Sequence, residues 1–110
     1  MTKIKIFKKN NSIVKVESIG HTETVNDGEF SIICAGISTI LQSALLGLIT
    51  VAGIEVNFNR DDKKGKLTFS LPDDLTETKK HDADVILNTM FVSLVDFRDG
   101  YSDFIELEVL

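Results

Sequence analysis

The chain has 110 residues, with 12 Lys and Arg against 17 Asp and Glu, for a formal net charge of −5. Hydrophobic residues make up 43% and charged residues 26%, the balance of one globular domain over residues 1–110 rather than of a disordered chain. The acidic balance argues against direct nucleic-acid binding and points to a basic protein or peptide as partner.

The longest apolar stretch, Ile32 to Gly53, is interrupted by Ser38, Thr39, Gln42, Ser43 and Thr50. It reads as a buried helix rather than a membrane span. The segment Met1-Thr2-Lys3-Ile4-Lys5-Ile6 carries no signal-peptide pattern. The single Cys, Cys34, rules out an intrachain disulfide. The expectation is a cytoplasmic protein that engages no membrane. A core this small favours a homodimer, which buries more apolar surface.

In chain order, residues 2–8 alternate, with Ile4 and Ile6 on one face and Lys3 and Lys5 on the other, as in a half-buried strand. Asn10-Asn11 signals a tight turn. Ser12 to Ile19 forms a second strand with Val14 and Val16 expected on the core side. Residues 20–30 read as a long polar loop, and long ordered loops are often functional. Ser31 is the expected N-cap of a helix from Ile32 to about Ile49, with Ile33, Ile37, Ile40, Leu41, Ala44 and Leu48 at helical spacing.

Ile54, Val56 and Phe58 alternate with polar neighbours, as do Leu67, Phe69 and Leu71. The turn Asp61–Gly65 joins them into a second hairpin. Asp74-Leu75-Thr76-Glu77 suggests a capping box with Asp74 as cap. The helix it opens runs to about Arg98, with Ile86, Leu87, Met90, Phe91, Leu94 and Val95 on one side, and stops at Asp99-Gly100. Ile105, Leu107 and Val109 alternate in a closing strand. The order β-β-α-β-β-α-β predicts an α+β two-layer sandwich, a mainly antiparallel sheet with two helices covering one face.

Three features go beyond fold class. With Ser31 as N-cap, Cys34 falls at the third helical position, beside free backbone N–H groups and the positive helix end, which favour thiolate. The competing reading is a small buried core residue. His21 follows Gly20 at a strand end, where an imidazole can reach a neighbouring helix and serve as base for a thiol. An exposed loop histidine is the plain alternative. Finally, Ala35 and Gly36 leave room beside the thiol, and Ser38 lies one turn after Cys34 on the same face. The Ser38 hydroxyl either supports the site or bonds a carbonyl four residues back.

One Cys and two His at scattered spacing make no zinc site, and no metal or cofactor motif is present. His81 sits among Lys79, Lys80, Asp82 and Asp84 on a charged, solvated helix face.

Gly20-His21, an acidic Gly-containing loop, and Ile32-Ile33-Cys34-Ala35-Gly36-Ile37-Ser38 together resemble the Prp family, the bacterial ribosomal-processing cysteine proteases. Tyr101-Ser102-Asp103-Phe104-Ile105 resembles the family's closing strand. The resemblance implies a Cys–His dyad protease acting as a homodimer. Its substrate would be the basic N-terminal extension of large-subunit ribosomal protein twenty-seven. By position, Cys34 would be the nucleophile and His21 the general base. Gly20, Ser31, Ala35 and Ser38 would support the site or the substrate, and Thr22 to Phe30 would form a flap. Two positions depart from the family pattern. Ser31 stands where the family has Asp, and Gly36 where it has Ala. Ser31 cannot charge-stabilise an imidazolium, which leaves Glu23, Asp27 and Glu29 as nearby carboxylates. The alternative of another class is a non-catalytic module that binds a ribosomal protein on the same scaffold.

Overall fold

The computed structural model describes residues 2–20, 28–61 and 63–110, and only the backbone of residues 28–31. Strands β1 (Thr2–Lys9) and β2 (Ser12–Gly20) are followed by helix α1 (Gly28–Leu46). Then come β3 (Asn57–Asp61), β4 (Lys66–Ser70), α2 (Glu77–Gly100) and β5 (Ile105–Val109). The sheet order is β3-β4-β2-β1-β5. Three pairings are antiparallel, and β5 joins β1 in parallel. This is the expected α+β element order, with a mixed sheet.

Asn10 and Asn11 both take positive φ, 52° and 70°, the requirement of a two-residue hairpin turn whose twist matches its strands. One face of the sheet carries Ile4, Ile6, Val16, Phe69 and Ile105, all buried. Against it lie Ile33, Ile37, Leu41 and Leu48 of the first helical segment and Ala83, Leu87, Met90 and Leu94 of α2. Each fully buried Leu or Ile contributes about 1.5–3 kcal/mol relative to an exposed one. The segment Ile32–Val51 has the length and hydropathy of a membrane span. In the fold it is the core helix, apolar on its inner side because it packs on the sheet.

Opposite the helices, the sheet alternates in charge. Lys3 pairs with Glu106 at 3.4 Å, and the register sets Lys5 between Glu108 and Glu17. Neighbouring strands of opposite charge support each other weakly in this way.

Several expectations need correction. The β1–β2 register shifts between Phe7 and Lys8, leaving Val14 as an extra residue in β2. Ile13 therefore takes the core position with Val16, and Val14 is only half-buried. Helix α1 starts at Gly28, not after Ser31, and runs on through a π-helical turn at Gly47–Val51. Gly53 at φ 66° then reverses the chain, and Ile54 N–H donates to Leu48 O at 2.9 Å. Ile54 and Val56 thus close the helix end, so β3 begins at Asn57 and Phe58 is exposed on the edge strand.

The cap of α2 is Thr76, whose hydroxyl accepts from Lys79 N–H at 3.2 Å, and not Asp74. Gly100 is the last residue of α2, and Tyr101 caps it by donating its N–H to Arg98 O. Phe104 N–H donates to Tyr101 O in the turn before β5, so the closing strand starts at Ile105.

Candidate active site

Cys34 is the seventh residue of α1, since the helix begins at Gly28. Its thiol is therefore not beside the free N–H groups of the first turn, and the dipole effect has largely decayed there. This removes the reason for thiolate that the Ser31 cap supplied. Ser31 lies within the first turns of the helix, and its side chain falls outside the described residues. His21 also lies outside them, as do the loop residues 22–27 and the side chains of Gly28–Phe30.

The thiol is half-buried and opens on a cleft of about 190 Å³ between α1 and the sheet. From α1, Cys34, Ser38 and Gln42 line it at successive turns, as the i, i+4 spacing dictates. Ile37 and Leu41 form its apolar floor. From the sheet come Thr2, Ser18, Gly20, Arg60, Lys66 and Leu67, with Gly65 at the β3–β4 turn. The register explains the convergence. Thr2 pairs with Gly20 across β1 and β2, Ser18 with Leu67 across β2 and β4, and Arg60 with Leu67 across β3 and β4.

One contact fixes the end of β2 and a second joins β1 to the thiol. Gly20 N–H donates to Gly65 O at 3.0 Å. Thr2 Oγ1 lies 4.0 Å from Cys34 Sγ, with either group able to donate. Thr2 is itself 4% exposed. Gly20 and Cys34 therefore share one cleft, and His21 is bonded directly to Gly20 in the chain.

Of the other expected residues, Ser38 lines the cleft and Ala35 is exposed outside its lining. Beside Ser38, it is the Thr39 hydroxyl that returns to a carbonyl four residues back, donating to Ala35 O at 2.7 Å. Thr2, Ser18, Gln42 and Arg60 are additional lining residues that the sequence reading did not single out. Gln42 was accessible in principle, as the next step of the Cys34–Ser38 stripe. Ser18 was visible as a polar residue at an inward strand position. Thr2 and Arg60 carry no local signal and arrive only through sheet register.

The family model described as cysteine protease Prp matches residues 1–106. The chain belongs to that family. It is similar to the ribosomal processing cysteine protease Prp of Bacillus subtilis (strain 168), with 26% identity over 91 residues, covering 83% of this chain and 80% of the relative.

Among solved structures, it superposes on Prp from S. aureus in complex with a substrate peptide, with a TM-score of 0.85 and 24% identity over the full length of both chains. A second S. aureus Prp structure, with a covalently linked product peptide, gives a TM-score of 0.81 and 26% identity, again over both full chains. SMU.848 from Streptococcus mutans gives 0.87 at 16% identity, covering all of this chain and 94% of that one. The family of this chain is thus one of cysteine proteases, and the α+β fold is the family's.

Proposed function

We propose that the protein is a cysteine endopeptidase that removes the basic N-terminal extension of large-subunit ribosomal protein twenty-seven. The single observation that carries the reading is the cleft in which the chain's one thiol meets Gly20, the residue bonded to His21. Cys34 attacks the peptide carbonyl, with His21 taking the thiol proton and returning it to the leaving amine. Thioester formation expels the amine product, and water then releases the acid product from sulfur. Ser38 and Gln42 follow the thiol along α1, where a substrate backbone can bond to them.

The net charge of −5 supports a basic substrate through long-range attraction. That attraction belongs to the molecule's total charge, because the charged residues described in the cleft lining are Arg60 and Lys66. The single thiol supports a cytoplasmic location. Exposed apolar side chains on the helices, including Ile32, Leu46, Val85 and Val92, support a homodimer.

Incubation with a peptide spanning the extension junction tests the reading, with Cys34→Ala and His21→Ala alongside. Cleavage by the parent protein and by neither variant is the expected result. Cleavage by Cys34→Ala would overturn the mechanism. Binding without cleavage by the parent would favour a non-catalytic module, a reading that Ser31 in place of the family's Asp supports.

A further inference from the structure

Thr2 occupies an inward position of β1, in phase with the core residues Ile4 and Ile6. Alternation calls for an apolar residue there, and Val would match the shape of Thr. The hydroxyl is thus an addition to the packing. A buried hydroxyl left without a partner is destabilising. The partner that the structure supplies is Cys34 Sγ, at 4.0 Å, the outer limit of hydrogen-bond reach to sulfur.

The backbone holds this hydroxyl in place from three directions. Thr2 N–H donates to Phe104 O at 2.9 Å, and Thr2 pairs with Gly20 on one side and Ile105 on the other. Gly20 is the complement of Thr2. A Cβ at position 20 would lie 2.5 Å from Thr2 Oγ1 and 2.9 Å from both Cβ and Cγ2. The Thr2 side chain fills the space that any other residue at position 20 would claim.

We propose that Thr2 is a positioning residue for Cys34: its hydroxyl donates to the sulfur once the thiol has lost its proton, holding the thiolate at the cleft. This rests on the reading of Cys34 as nucleophile. A hydrogen bond from a fixed donor favours the charged form of an acceptor. The other charged groups described around the cleft are Arg60 of β3 and Lys66 of β4. Both are kept in every Thr2 variant, so parent and variants are compared against the same charges.

The test measures alkylation of the full chain by iodoacetamide across pH, with Thr2→Val and Thr2→Ser. Cys34 is the chain's one cysteine, so the rate reports on that sulfur alone. In Thr2→Val, the half-maximal rate is expected at higher pH, with alkylation at neutral pH slowed about threefold and an unchanged plateau at high pH. Thr2→Ser should follow the parent. Peptide cleavage by Thr2→Val should lose kcat with KM retained.

Thermal melting establishes that each variant is folded. If Thr2→Val fails to fold, Thr2→Ala against Thr2→Ser carries the same comparison. A folded hydroxyl-free variant with the parent's pH profile would overturn the role of Thr2 and leave Cys34 untouched. A parent protein that resists alkylation at every pH would overturn the nucleophile reading along with it.

Discussion

Gly36 of α1 lies against the ring of Phe97 of α2, so close that a Cβ on Gly36 would sit 2.5 Å from Phe97 Cζ. This contact gives a physical account of the glycine that stands where the family pattern has Ala. Phe97 is held in turn by Tyr101, with ring centroids 5.0 Å apart.

Two opposing effects set the outcome of Gly36→Ala. Helix propensity favours Ala by about 1 kcal/mol. Overpacking against a held ring costs about 1–3 kcal/mol. The expected net change is a destabilisation of about 1 kcal/mol. In a Phe97→Leu background the collision is relieved, and the same substitution should stabilise by up to about 1 kcal/mol. Urea unfolding of the four proteins checks the reversal of sign. A Gly36→Ala protein more stable than the parent with Phe97 intact would contradict the contact.

The cap of α2 separates two residues that the sequence alone does not distinguish. Thr76→Ala should cost about 1 kcal/mol, because the Lys79 N–H then loses its acceptor. Asp74→Ala, at an exposed residue ahead of the cap, should stay within about 0.5 kcal/mol. Denaturant midpoints of the two variants provide the comparison. A larger loss from Asp74→Ala would restore Asp74 as the cap.

These cases show which kinds of information the sequence held. Periodicity located β1, β2, β4, β5 and both helices, because each buries one face and repeats with its own period, but it set the third strand too early: β3 starts at Asn57 and buries no face, and Ile54 and Val56 belong to the helix end. Helix ends were less legible. Ser31 and Asp74 are good capping residues by type, but chain geometry selected a start at Gly28 and a cap at Thr76. In the site, Cys34 and Ser38 could be read together because they share one helix face. Thr2 and Arg60 could not, because they reach the cleft through the pairings Thr2–Gly20 and Arg60–Leu67, which sheet register sets and no local pattern marks.

The β1–β2 hairpin illustrates the same limit and allows a direct check. Simple alternation puts Val14 and Val16 on one face, but the bulge turns Ile13 into the core instead. Ile13 is 1% exposed. Ile13→Ala should therefore cost about 2–4 kcal/mol. Val14→Ala, at a half-buried bulge position, should cost about 1 kcal/mol or less. Unfolding midpoints in the opposite order would mean that the strands pair without the shift.

The proposed homodimer makes its own demand on the outer helical surface. Leu46 is 61% exposed and Val92 66% exposed, so neither supports the core of its own chain. Replacing each by Lys should alter the stability of the isolated fold by no more than about 0.5 kcal/mol. Burying two such charges against a second copy would cost far more. Sedimentation equilibrium should therefore give twice the 12.2 kDa chain mass for the parent and the single mass for L46K/V92K, with unchanged circular dichroism. A parent that sediments as a monomer at micromolar concentration would overturn the dimer. A dimer that survives both substitutions would move its interface away from this part of the helical face.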